Sequence, residues 1–204
     1  MAAVTNFRDG ARAKSAHRSR GLLVSDFVLS TLDPRSFLER ARTARDAYDG
    51  FNLVVAANDE LLHYSNVSDE ITALAAGVHG LSNHLLNTPW PKVERGKAAV
   101  QRLLANQPGD LAAGLFDALT NTQPAAEADL PHTGVSLEWE RQLATIFIRA
   151  PGYGTRASTV VLVGSSGELT LIERNFGPDG RAAATRTFQR RLVGSDAPDI
   201  WTLV

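Results

Sequence analysis

Fourteen residues from His79 to Lys92 (His-Gly-Leu-Ser-Asn-His-Leu-Leu-Asn-Thr-Pro-Trp-Pro-Lys) gather the side chains best suited to bind or react. Two histidines, two asparagines and a tryptophan stand there among one glycine and two prolines. The stretch is too polar and too broken for the interior of a strand or helix, and too aromatic for a plain solvated loop. It reads as a shaped loop at a strand end, where binding groups sit on a rigid scaffold. His79 and His84 can both reach one ligand there, for example a haem iron, since neutral imidazole is a good metal ligand. Trp90, between two prolines, reads as a packing anchor or as a ligand platform. Tyr153, between Gly152 and Gly154, reads as an exposed side chain open to contact.

Other chemistries are excluded by composition or spacing. The sequence contains no cysteine, which removes disulfides, thiolate metal sites and any cysteine nucleophile from these residues. A cytoplasmic setting fits that composition. The five histidines (17, 63, 79, 84, 132) show no i,i+4 pair and no His-Glu-x-x-His spacing, so no dedicated protein metal site is expected. Gly96-Lys97 is not a phosphate loop, because Pro91 and Ala98 occupy the positions that need glycine and Ser or Thr. Gly152-Tyr-Gly154 lacks the third glycine of a dinucleotide fingerprint, and no serine sits in a Gly-x-Ser-x-Gly elbow. With a net charge of -1, the chain has no global electrostatic case for nucleic acid or an anionic membrane. No stretch approaches the roughly 18–20 apolar residues of a membrane span, and the N-terminus does not read as a signal peptide.

The elements that must position these groups follow from pattern. At 204 residues, 44% hydrophobic and 21% charged, the chain is an ordinary globular sequence, and no linker or repeat marks a second domain, so residues 1–204 read as one domain. Ala2 to Phe7 reads as a strand, and Arg8 to Arg20 carries five cations (Arg8, Arg12, Lys14, Arg18, Arg20) against Asp9. That run is a solvated loop or, alternatively, a patch for an anionic ligand. Leu22 to Leu32 has helical spacing, and Asp33-Pro34 starts a second helix as N-cap and first helical residue. Phe51 to Ala57 and Glu60 to Asn66 form a hairpin around Asn58-Asp59. Pro91 opens a helix to about residue 106, and Asp110 caps another to about residue 120. A loop spans 121 to 136. Four strands are then expected over Leu143–Arg149, Ser158–Val163, Glu168–Arg174 and Ala184–Leu192, with Ser165-Ser-Gly167 as a tight turn. A tail from Gly194 follows, with Trp201 as its anchor. Antiparallel sheets with helices on their outer faces, an α+β class, account for this order.

Several segments together resemble the NRDE-domain family, also called the transport and Golgi organisation family. Ala2-Ala-Val-Thr-Asn-Phe7, Arg20-Gly-Leu-Leu-Val24 and Tyr48-Asp-Gly-Phe-Asn-Leu53 match its early signatures. Gly80-Leu-Ser-Asn83 with Thr88-Pro-Trp90, Lys92 and Gly96-Lys97 resembles its most distinctive one. Pro151-Gly-Tyr-Gly-Thr-Arg156, Ser158-Thr159 and Glu173-Arg174 continue the match. Family members begin with Met-Cys on an earlier strand, followed by the Asn-Arg-Asp-Glu motif. This chain opens on the later strand and so reads as N-terminally short.

The resemblance implies a fold and two kinds of function. The family is similar to the N-terminal-nucleophile (Ntn) hydrolases, so the implied fold is an αββα sandwich of antiparallel sheets lacking its first strands. In that chemistry an N-terminal cysteine attacks an amide, with its own amine as base. By motif, Asn6 and Asn83 are implied as oxyanion-stabilising groups and Arg156 as the supporting cation. Plainer readings make Asn6 the start of a turn, Asn83 a cap, and Arg156 a partner of Glu173. Family members are associated with haem trafficking, with lipid or acyl-CoA handling and with Golgi organisation. The resemblance therefore implies a non-catalytic handler of haem or an acyl ligand, with His79, His84, Trp90 and Tyr153 lining the site. The alternative is a cysteine amidohydrolase whose nucleophile lies ahead of Met1.

Overall fold

The computed structural model describes residues 1–10, 17–57, 60–107 and 109–192, and the backbone of 202–203. The expected turn at Asn58-Asp59, the cations Arg12 and Lys14, and Trp201 lie outside the described residues. The chain gathers into two compact units, Met1–Pro89 with His132–Val135, and Trp90–Pro131 with Ser136–Val204.

In the first unit, strands β1 (Ala2–Asn6), β2 (Phe51–Ala57), β3 (Glu60–Ser65) and β4 (Glu70–Ala73) form an antiparallel sheet in that order. Helices α1 (Gly21–Leu29) and α2 (Pro34–Thr43) lie between β1 and β2 in sequence and pack on one face. Alternation along β2 sends Phe51, Leu53 and Val55 toward the helices, where they meet Leu23, Phe27, Phe37 and Leu38. Asn52, Val54 and Ala56 point to the other face and are buried too, which is why β2 reads as an unbroken apolar run apart from its asparagine. Asp33 caps α2 as expected, its carboxylate accepting from the Ser36 amide at 2.9 Å. Helix α1 ends at Leu29 rather than Leu32, because Ser30 turns extended and returns its amide and hydroxyl to Phe27 O.

Strand β4 was not legible. It is short and polar, and it depends on Asp69, which adopts a left-handed φ of 56°. Asp69 is held there by Arg42 at 3.0 and 3.2 Å and by the Tyr64 hydroxyl at 3.1 Å.

In the second unit, α3 (Pro91–Asn106) and α4 (Leu111–Leu119) pack together, and Leu115 and Phe116 meet Val160 of the second sheet. Asp110 caps α4, accepting from the Ala113 amide at 2.9 Å. Helix α5 (Leu137–Leu143) is followed by a two-residue pair, β5 (Arg149–Ala150) with β6 (Tyr153–Gly154). Strands β7 (Ala157–Val163), β8 (Glu168–Phe176), β9 (Ala182–Arg191) and β10 (Thr202–Leu203) form an antiparallel sheet ordered β10-β7-β8-β9. Three of the expected strands are present. The fourth, over Leu143–Arg149, is corrected. Ser136 caps α5 by accepting from the Trp139 amide, which carries the helix through Leu143. The β-prone run that follows is pinned outside the sheet instead: the Thr145 hydroxyl bonds to Phe147 O and the Phe147 amide to Asn121 O.

Each sheet is antiparallel and carries helices, so the class is α+β.

Buried Asn66 closes the turn that enters β2. Its carboxamide accepts from the Phe51 amide at 2.7 Å and donates to Arg45 O, Tyr48 O and Asp49 O at 3.3–3.4 Å. Substituting Asn66→Ala strands these backbone groups away from water, so unfolding free energy should fall by about 1–3 kcal/mol in urea melts. Asp33→Ala, which removes one exposed cap, should lower the urea midpoint less than Asn66→Ala in the same assay.

Candidate functional site

One carboxamide organises the second face of the first sheet. Asn52 is fully buried in β2, opposite Thr5 of β1 and Ser65 of β3. Its amide nitrogen donates to Thr5 Oγ1 at 3.3 Å and to His84 O at 2.9 Å. Its carbonyl oxygen is left to accept from His63 Nε2 at 3.1 Å. Burial pushes the His63 pKa down to about 4, so the ring is neutral near pH 7. Because Asn52 offers an acceptor there, the proton sits on Nε2 and the lone pair on Nδ1. Thr5 Oγ1 passes its own proton to Ser82 O at 2.9 Å. Two strands thus hold two carbonyls of the 79–89 loop through side chains alone.

The loop then closes on itself. Asn87, at a φ of 57°, exchanges backbone and side-chain hydrogen bonds with Gly80 at 2.8 Å. Its amide nitrogen also donates to His79 Nδ1 at 3.2 Å, so His79 keeps its proton on Nε2, which donates to Ala75 O at 2.9 Å. Both ring nitrogens of His79 are therefore committed to holding the loop.

His84 has the opposite tautomer. The Thr88 hydroxyl spends its proton on Leu85 O at 2.8 Å, so His84 Nδ1 must donate to Thr88 Oγ1 at 2.9 Å. The lone pair of the neutral ring lies on Nε2. The imidazole is half-buried, with its centroid 4.8 Å from that of the Phe7 ring. Burial, and then the charge of Arg8, hold its pKa below the ordinary value, which favours the neutral ring.

The structure brings Asn83 and Asn6 together, though not through both carboxamides. Asn83 Nδ2 donates to the backbone oxygen of Asn6 at 3.0 Å, and Asn83 O accepts from the Arg8 amide at 2.7 Å. Asn83 thus ties the end of β1 rather than capping the segment that follows it. Strand alternation turns the exposed Asn6 side chain to the face of Val4, where it lines a cleft of about 440 Å³ with Arg18, Arg20 and Asp49. A second groove of about 510 Å³ runs between α1 and α2, over Leu23, Leu29, Phe37 and Ala41. Arg40 lies over the Phe37 ring at 4.9 Å, and Arg18 lies over Tyr48 at 5.3 Å while pairing with Asp26 at 3.7 Å.

The remaining expected residues belong to the second unit. Trp90 is buried ahead of α3, with Lys92 Nζ 5.8 Å from its ring. Tyr153 is 53% exposed and meets Trp139 edge to face at 5.6 Å. Arg156 is exposed, and among the described residues no ion pair joins it to Glu173. Among the described residues, no three His, Cys, Asp or Glu side chains gather around one point, and no helix is long and apolar enough to cross a membrane.

Sequence reasoning missed Asn52, His63 and Trp139. The first had a signal, since a carboxamide inside an apolar strand must find buried partners.

A family model described as Transport and Golgi organisation 2 matches residues 1–178. Among curated relatives, the Transport and Golgi organization protein 2 homolog of Bos taurus is 36% identical over 94% of this chain and 74% of its own length. The Homo sapiens homolog is 34% identical with the same coverage. The Mus musculus homolog is 33% identical over 86% of this chain and 68% of its own length.

The His63 environment has a pH consequence. Its folded pKa lies below its unfolded one, so the unfolded chain binds the extra proton as pH falls from about 6.5 to 4. Stability should drop across that window by up to about 3 kcal/mol and flatten below it. His63→Gln should remove this part of the slope when urea midpoints are compared at pH 7 and pH 4.5. An unchanged slope would show that His63 stays accessible to solvent protons.

Proposed function

The chain belongs to the Transport and Golgi organisation 2 family, and from that premise we propose that it is a non-catalytic handler of an anionic amphiphilic ligand, with haem bound at His84. The observation that carries this reading is the His84 tautomer. A metal-ligating histidine almost always donates its other ring N–H to an acceptor, and Thr88 provides that acceptor here. The proton on Nδ1 orients the ring and places the lone pair on Nε2, the nitrogen that would ligate. Arg8, whose charge reaches His84, would suit a propionate. His79 has both ring nitrogens in the loop's own hydrogen bonds and is not the residue proposed to ligate. Asn6 and Asn83, in the same unit as His84, keep in this proposal the polar roles that the family resemblance implies. The proposal also takes each antiparallel sheet with its helices as part of an Ntn-hydrolase-like αββα fold.

A second reading, an acyl ligand, is favoured by the groove between α1 and α2. Its floor is apolar and its walls carry the guanidinium groups of Arg18 and Arg40, a match for a carboxylate head on an aliphatic tail. The amidohydrolase alternative takes its nucleophile from a segment ahead of Met1, since these residues hold no cysteine. A burst of product from an amide probe would overturn the non-catalytic reading.

Titrating haem into the full chain should shift its Soret band. His84→Ala should abolish the shift, and His79→Ala should leave it in place. A full chain that gives no shift would sink the haem reading. For the acyl reading, a fluorescent fatty acid should bind the wild type and lose about tenfold in affinity in Arg40→Glu, as expected for one lost charge contact. Equal affinity in the two proteins would count against the groove.

A further inference from the structure

Among the described residues, no strand covers the outer edge of the strand that ends the second sheet. Strand β9, ten residues long, pairs on one side with β8 from Phe176↔Ala182 to Glu168↔Arg191. Among the described residues no strand pairs with its other side, where it closes the order β10-β7-β8-β9. All ten of its residues are exposed, Phe188 to 59%. An ordinary edge strand still buries one face; along β9 the residues of both faces are exposed. Every second residue of such a strand directs both N–H and C=O outward, giving about five pairs over a length of about 34 Å.

Edges of this kind are templates for strand addition, and proteins blunt them with proline, bulges or charge. Strand β9 has no proline, and its one bulge is at Ala183 near its start, the extra residue opposite Asn175/Phe176. From Ala184 onward its protection is charge: Arg186, Arg190 and Arg191, with no acid between Ala182 and Arg191. Glu173 and Glu168 stand opposite Arg186 and Arg191 on β8, yet none of these guanidinium groups makes an ion pair among the described residues. Pairing β9 with its own copy would set three cations against three, which cross-strand repulsion opposes. An acidic strand meets the reverse condition. Arg186, Phe188 and Arg190 share one face, so a matching segment carries acid, apolar and acid at alternate positions.

We propose that the open edge of β9 is a docking site for an extended acidic segment of another protein, added as a strand to the second sheet. Backbone hydrogen bonds would supply much of the affinity, and the three arginines would select the sign of the partner.

The probe is a fluorescein-labelled ten-residue peptide in which Thr alternates with Glu, Val and Glu, with a control carrying Lys for each Glu. With the full chain, the acidic peptide should bind in a salt-sensitive manner and slow hydrogen exchange of amides in 182–191, and the basic peptide should not bind. The double substitution Arg186→Glu with Arg190→Glu, at exposed positions, should weaken the acidic peptide at least about tenfold and admit the basic one. Exchange protection in the wild type tests the site even where that variant fails to fold. Four results would each overturn the proposal: no binding of the acidic peptide at about 1 mM, equal binding of both peptides, binding without protection of 182–191, or protection through dimers in the absence of peptide.

Discussion

The first unit depends on a single constraint: Asn52 lies in the middle of an apolar strand and cannot reach water. A buried carboxamide must use its donors and acceptor or destabilise the fold. The structure satisfies it with one partner on β1, one on β3 and one in the 79–89 loop. Those three bonds set the register of the polar face, the tautomer of His63 and the position of the loop backbone. The loop that carries His79, Asn83 and His84 is therefore placed from beneath, by a group that touches no ligand in the proposed function. An apolar residue at 52 would remove the loop's tie at His84 O and leave those made by Thr5, Arg8 and Asn83.

Once the loop is attached, three histidines of one residue type acquire three chemistries. His63 is neutral because it is buried, and its proton is directed by Asn52. His79 has the same tautomer and has both nitrogens in the loop's own hydrogen bonds. His84 alone is turned over, because Thr88 has already given its hydroxyl proton to Leu85. The tautomer of each imidazole here comes from which neighbour still has a proton to give.

Much of this was legible in the sequence where the determinant is local. Asp33 and Asp110 cap the helices they precede, and the hairpin run from Phe51 has the apolar continuity of a strand buried on both faces. What escaped depends on contacts distant in sequence. Residues 143–149 carry β-branched and aromatic side chains, yet a cap at Ser136 and a bond from Phe147 to Asn121 override that propensity. Strand β4 requires the left-handed Asp69, whose anchors Arg42 and Tyr64 no local pattern connects. The family signature pointed to Asn83, and the loop is indeed where the hydrogen bonds converge. The groups that hold it, Thr5 and Asn52, lie inside strand signatures whose apolar character drew the attention.

The two sheets also divide stability differently. The first is cross-tied by side chains from strand to strand and from strand to loop, so it opens only at the cost of several buried hydrogen bonds at once. In the second, all residues of β9 are exposed, and among the described residues β8 is the one strand it pairs with. Segments with few buried contacts open at low free energy and are the ones that partners recruit. A strand kept in place by backbone bonds on one side, and kept single by arginines on the other, lies at that end of the scale. Adding a strand would give it a second ladder without disturbing the buried network of the first unit.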